Sequence, residues 1–148
     1  MLENYKQELE SIARSFTEKE FKKMKIQSLI DLSVKLEEQS DSEIESLLQE
    51  IKSMVYEATR EERFDMKSYR KKVNSVKELV KAKFDFHERG TIKSQYLGIG
   101  IVFGSGIGAA FSSVMPSMIG AFSGLGIAFG VAIGTQKEKE AEKAGKLY

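Results

Sequence analysis

His87 is the chain's one histidine, and Glu88 and Arg89 follow it directly. A metal centre needs three or four donors at set spacing, and no HExxH, CxxC or Walker lysine motif stands in the 148 residues. The adjacent carboxylates Glu37-Glu38 and Glu61-Glu62 are acid and base by type, but they read as solvated faces. Gly104-x-Gly106-x-x-Ala109 fits the G-x-G-x-x-A form of a dinucleotide loop, and YLGIGIVFG ahead of it has strand-like composition. That loop needs a βαβ unit and an acidic residue about twenty positions on. The next acid is Glu138, and no further strand–helix pattern follows. No catalytic residue, metal ligand or cofactor is assigned, and the expectation is a protein that is not an enzyme.

Charge is the other chemistry on offer. The net charge is only +1, yet residues 1–62 carry 9 basic and 15 acidic side chains, whereas 63–93 carry 10 and 4. The basic segment centres on Arg70-Lys71-Lys72 and continues through Lys81, Lys83, Arg89 and Lys93. Two contacts suit these seven residues: anionic lipid headgroups, worth about 1 kcal/mol per residue near a cytoplasmic leaflet, or the acidic helices of residues 1–62. No aromatic residues are interleaved for base stacking, so nucleic acid is not expected as a partner. The absence of cysteine fits a reducing compartment. MLENYKQELE lacks the basic n-region and apolar run of a cleavable signal peptide.

The elements that must position these residues are helices. Leu2, Tyr5, Leu9, Ile12 and Phe16 alternate steps of three and four and form one apolar stripe. Thr17 with Glu20 has capping-box form and opens a second helix through about Gln39, whose apolar residues spread over more than one face and place it centrally. Ser42 with Glu45 repeats the signature before a third stripe, Ile44, Leu47, Leu48, Ile51, Met54, Val55 and Ala58. A break near 64–67 precedes a fourth stripe, Tyr69, Val73, Val76, Val80 and Phe84, on a basic helix that Gly90 would end.

Residues 94–136 contain no Lys, Arg, Asp, Glu or His in a chain that is 30% charged, and they hold ten of its twelve glycines and its one proline, Pro116. At about 1.5 Å per residue, the arms 97–115 and 117–134 each span roughly 27 to 28 Å as helices, about one bilayer core. Basic residues flank the block on both sides, and the turn at Met115-Pro116-Ser117 has none. Both termini are therefore expected in the cytoplasm, with Thr91 a possible cap of the first arm and Tyr96 at the interface.

GIGIVFGSGIG at 98–108 repeats as GLGIAFGVAIG at 124–134 with seven identities, and the central Phe103 and Phe129 are each thirteen residues from Pro116. A hairpin centred there puts them at one depth. Steps of four give Gly100, Gly104, Gly108 and Ser112 on one arm and Gly120, Gly124, Ala128 and Ala132 on the other. A second set, Gly98, Gly106 and Ala110 with Gly126, Gly130 and Gly134, lies about 200° away. Small residues let membrane helices pack backbone to backbone. One face serves the hairpin, and the second points to a homo-oligomer. These residues resemble the glycine-zipper segments of small bacterial two-helix membrane proteins. The resemblance, confined to 97–134, implies a tightly packed, self-associating membrane segment and brings no catalytic residues.

The expected fold is all-α: a small N-terminal bundle of about four amphipathic helices (1–90), a two-helix transmembrane hairpin (94–136) and a short charged tail (137–148), helical in its first turns and solvated. The leading expectation of function is an integral protein of the cell membrane that self-associates and clusters a cytoplasmic interaction domain, with lipid and a protein partner of the N-terminal helices as contacts. The alternatives are a pore-forming effector lined by Ser105, Ser112, Ser113 and Ser123, and a soluble regulator whose hairpin packs onto a partner. A β-hairpin of an oligomeric barrel is disfavoured, because Val102-Phe103 and Ala109-Ala110-Phe111 break the two-residue alternation.

Overall fold

Thr17 begins the first element whose cap is complete: its amide donates to Glu20 Oε2 at 2.9 Å while its Oγ1 accepts from the Glu20 amide at 3.3 Å. This computed structural model describes residues 4–39, 41–60, 64–112 and 118–148. They form seven helices and, among the described residues, no strand: α1 (Tyr5–Ala13), α2 (Glu18–Lys23), α3 (Ile26–Leu36), α4 (Ser42–Glu57), α5 (Met66–Phe84), α6 (Thr91–Phe111) and α7 (Met118–Lys143). Two bodies result, Met1–Phe86 with Tyr148, and His87–Leu147.

The first body holds five helices rather than about four, because the helix expected over 17–39 is two. Lys25 takes a left-handed conformation with φ 53°, which ends α2 and restarts the chain as α3. The break resolves the scattered apolar pattern. One straight helix cannot turn Met24 and also Ile26, Leu29, Ile30, Leu32 and Leu36 inward, whereas all six are buried here. α3 is the central element, and its buried Ser33 hydroxyl donates to the Ile30 carbonyl at 2.8 Å. A carbonyl freed at the break, that of Met24, accepts from the Tyr69 hydroxyl at 2.7 Å. The α1 stripe buries Tyr5 and Leu9, and Leu2 lies outside the described residues.

Two further expectations are corrected by side-chain chemistry. The cap of α4 is Asp41, not Ser42: its Oδ1 accepts from the Glu43 and Ile44 amides, each at 3.1 Å. Asp is as good a cap as Ser and brings a charge to the positive end of the helix. α5 starts in the same way on Asp65, which accepts from the Lys67 and Ser68 amides at 3.0 and 3.1 Å. It ends at Phe84 rather than Gly90, because Asp85 adopts φ 55° and stops it. Ile44, Leu48, Ile51 and Val55 of α4 and Tyr69, Val73, Val76 and Val80 of α5 are all buried. Each such side chain contributes about 1.5–3 kcal/mol relative to exposure.

Candidate functional site: the paired apolar helices

α6 and α7 contain the described part of the uncharged stretch 94–136 and are folded against each other. Both are long and apolar enough to cross a membrane, α6 with 21 residues and α7 with 26. α6 begins at Gly90, whose φ of 82° suits a residue without a side chain. Its cap is not Thr91 but Glu138 of α7, whose carboxylate accepts from the Gly90 amide at 2.7 Å and the Lys93 amide at 3.0 Å. Arg89 Nη1 pairs with Glu142 at 2.7 Å, and the His87 amide donates to the Lys146 carbonyl at 2.8 Å. The segment expected as a short solvated tail thus closes the hairpin: α7 runs to Lys143, and Gly145 at φ 69° turns the chain back. Tyr148, with 7% of its surface exposed, belongs to the core of the first body.

The helices touch through missing side chains. A methyl group placed on Gly100 runs into the Gly126 carbonyl, one on Gly104 meets the Phe122 carbonyl, and one on Gly126 meets the Gly100 carbonyl. On Gly108 it lies 2.6 Å from Ile119 Cα, on Gly130 2.6 Å from the Tyr96 carbonyl, and on Gly134 3.0 Å from Lys93 Cα. These six glycines occupy the same three places in the two copies of the repeat. The sets sorted by steps of four are paired crosswise: the first set of α6 meets the second set of α7. Gly98, Gly106, Gly120 and Gly124 have open space where a side chain would be.

The register differs from one centred on Pro116. With Gly104 between Phe122 and Gly126, and Gly130 beside Leu97, Phe103 and Phe129 sit about five residues apart in level. That is about 7 Å along the axis at ~1.5 Å per residue. The pairing of the glycines, rather than equal arm length, sets the register. The turn assigned to Pro116 lies outside the described residues.

The outer surface of the pair is apolar. Of the thirteen large hydrophobic side chains exposed among the described residues, eleven lie on α6 and α7, with Val102, Phe103 and Phe129 at 71, 68 and 64%. Three of its serines are hydrogen-bonded within the pair. Ser105 and Ser123 share a hydrogen bond of 3.0 Å across the pair, and the Ser112 hydroxyl donates to the Ala109 carbonyl at 2.7 Å. Ser113 lies outside the described residues. Three of the four serines available to line a pore therefore have partners within one hairpin.

Of the seven basic residues, two pair with acids of residues 1–62. Lys72 pairs with Glu50 of α4, and Lys83 pairs with Asp41 and Glu43 at 2.8 and 2.7 Å. The Lys83 hydrogen bond, with the Ile44 amide, holds the Asp41 carboxyl below the usual range, and Asp41 with Glu43 raises Lys83. Arg89 is tied to Glu142, while Arg70, Lys71, Lys81 and Lys93 are exposed. Among the described residues no cluster of His, Asp and Glu is suited to a metal ion. Sequence reasoning missed Glu138; its signal was the first acid after 43 uncharged residues, two helix-lengths along the chain from Gly90.

Compared with protein-family models, curated proteins and solved structures, the chain finds no match. Its fold defines a class all the same: an all-helical protein in which two apolar helices, each able to cross a membrane by length and composition, pair as an antiparallel hairpin.

Proposed function

We propose that the protein is a non-enzymatic integral membrane protein whose hairpin crosses the cell membrane twice, self-associates, and clusters the helical body on the cytoplasmic side. The observation that carries this reading is the division of the glycines. Six are consumed between α6 and α7, while Gly98, Gly106, Gly120 and Gly124 leave open backbone on an outer surface that is otherwise apolar. In lipid there is little gain from hiding leucine-like surface, and helices associate where backbones can approach, which the four open glycines permit. The glycine-zipper resemblance points the same way. Lysine and arginine at both ends of the hairpin and their absence at 115–117 favour cytoplasmic termini.

The test separates the two sets of glycines. The full chain should fractionate with membranes and, in a mild detergent, run as a complex of several chains. Gly106→Leu with Gly124→Leu should reduce that mass to one chain without loss of helix content, because neither position touches the partner helix. A wild-type chain that is monomeric in detergent, or one recovered in water without it, would remove the reading.

A further inference from the structure

The bases of α5 fall on two sides of its buried stripe. On one side Lys72 pairs with Glu50, and Lys83 with Asp41 and Glu43, which ties the helix to the acidic half of the chain. Arg70, Lys71 and Lys81 lie away from that side, within an arc of about 100° at 3.6 residues per turn. All three are exposed, and their side chains form no ion pair or hydrogen bond with a described residue. Lys67 neighbours Asp65 and Lys77 is engaged, so neither adds an open charge. Glu78, the one acid within α5, shares the exposed face and forms no ion pair with a described residue. The face therefore keeps an excess of positive charge that the acids of α4 do not reach.

From Arg70 to Lys81 the helix rises about 16 Å at ~1.5 Å per residue, a line of charge on a convex surface that suits a sheet of phosphates better than a single small anion. Base stacking has no platform there, because Tyr69 is buried and its hydroxyl is committed to the Met24 carbonyl. A bilayer is also close by covalent connection alone. Only residues 85–90 separate α5 from α6, so a membrane crossed by α6 lies within about 25 Å of the end of α5 at full extension of that link. Anionic headgroups attract bases within a Debye length of the surface, about 8 Å at physiological salt, and each base that reaches the surface favours the bound state about fivefold.

We propose that the exposed face of α5, through Arg70, Lys71 and Lys81, docks the helical body onto an anionic lipid surface. Nearness of the bilayer rests on the membrane reading of α6 and α7, and flotation tests that reading separately. The full chain, with a dye on Asn74→Cys between the three bases or on Ser11→Cys of α1, is reconstituted into phosphatidylcholine vesicles with or without phosphatidylglycerol, and a headgroup-linked acceptor reports how close each dye comes to the surface. Phosphatidylglycerol should raise energy transfer from the α5 dye and not from the α1 dye, and added salt should reverse the rise while the chain still floats with the vesicles. Arg70→Gln with Lys71→Gln and Lys81→Gln should lower the ratio of docked to undocked bodies about tenfold or more, Glu78→Gln should raise it up to about fivefold, and Arg70→Lys should preserve it, because a lipid surface reads charge and not a guanidinium fork. The altered side chains are exposed, so helix content is expected to match wild type. Equal transfer with and without phosphatidylglycerol, an equal rise from both dyes, or docking unchanged in the triple variant overturns the proposal. An oligonucleotide bound by this face while phosphatidylglycerol leaves the α5 dye unmoved overturns it in favour of nucleic acid. A chain that does not float with phosphatidylcholine alone removes the anchor reading; docking then predicts flotation with phosphatidylglycerol vesicles that the triple variant loses, and flotation with neither overturns both.

Discussion

A glycine matters to packing only where another backbone occupies the space its side chain would fill, and the hairpin contains both kinds. At Gly126 a methyl group collides with the Gly100 carbonyl, and backbone cannot rotate aside as a side chain can. Gly126→Ala should therefore cost about 1–3 kcal/mol of hairpin stability, the usual range for overpacking. Gly124→Ala, two residues away with nothing nearby, should cost nothing and gain up to about 1 kcal/mol from helix propensity. Denaturation in mixed micelles followed by helix content measures both. In the first body the matching residue is Tyr69, buried against Phe64 and bonded to the Met24 carbonyl. Tyr69→Phe keeps the ring and strands that carbonyl, a loss of about 1–3 kcal/mol. Burial raises the Tyr69 and Tyr5 phenols, Tyr5 also through the neighbouring Tyr69. The native phenols then keep their protons where unfolded ones, near pH 10, lose them. Stability should be flat below about pH 10 and fall above it, with a shallower fall in Tyr69→Phe.

At the scale of elements, Asp41 shows how a cap and an ion pair share one carboxylate. Its Oδ1 satisfies the first amides of α4 while Oδ2 faces Lys83 of α5, so one residue starts a helix and ties it to the next. Lys83 and the helix amides lower its pKa, so its contribution is present above the unfolded value near 4 and is lost as pH falls through the lower native value. Asp41→Asn keeps a cap oxygen and loses the pair. The wild-type melting temperature should exceed that of the variant near neutrality, and the gap should close as pH drops below about 4. The periodic stripes of α1, α4 and α5 and the capping box at Thr17 were legible because they are local. What was not legible depended on distant partners. Lys25 breaks a helix that propensity continues, because the core needs Met24 and Ile26 on one side. Glu138 caps a helix 48 residues away in sequence. The glycine repeat announced a hairpin but not its register, since two small faces per helix allow more than one pairing.

For the molecule as a whole, the question that separates a clustering anchor from a pore is where polar groups go. A water-filled path needs a polar line down one helical face, and the described hairpin has two of its serines bonded to each other and a third bonded to its own helix. Lining such a path with these serines would first break the Ser105–Ser123 bond that ties the two helices together, worth about 1 kcal/mol if the hairpin spans a bilayer as proposed. Vesicles carrying the full chain should therefore hold a small entrapped dye as well as empty vesicles do, at every protein-to-lipid ratio that still yields complexes of several chains. Ser105→Ala with Ser123→Ala should leave that retention unchanged and lower hairpin stability by about 1 kcal/mol, the loss of one interhelical hydrogen bond. Cysteine, absent from the chain, supplies the complementary measurement. Single replacements Ser11→Cys and Lys139→Cys should react with an impermeant reagent from one side of the membrane and Met115→Cys from the other. Leakage that rises with protein density, and that these serine replacements abolish, would favour a pore over an anchor.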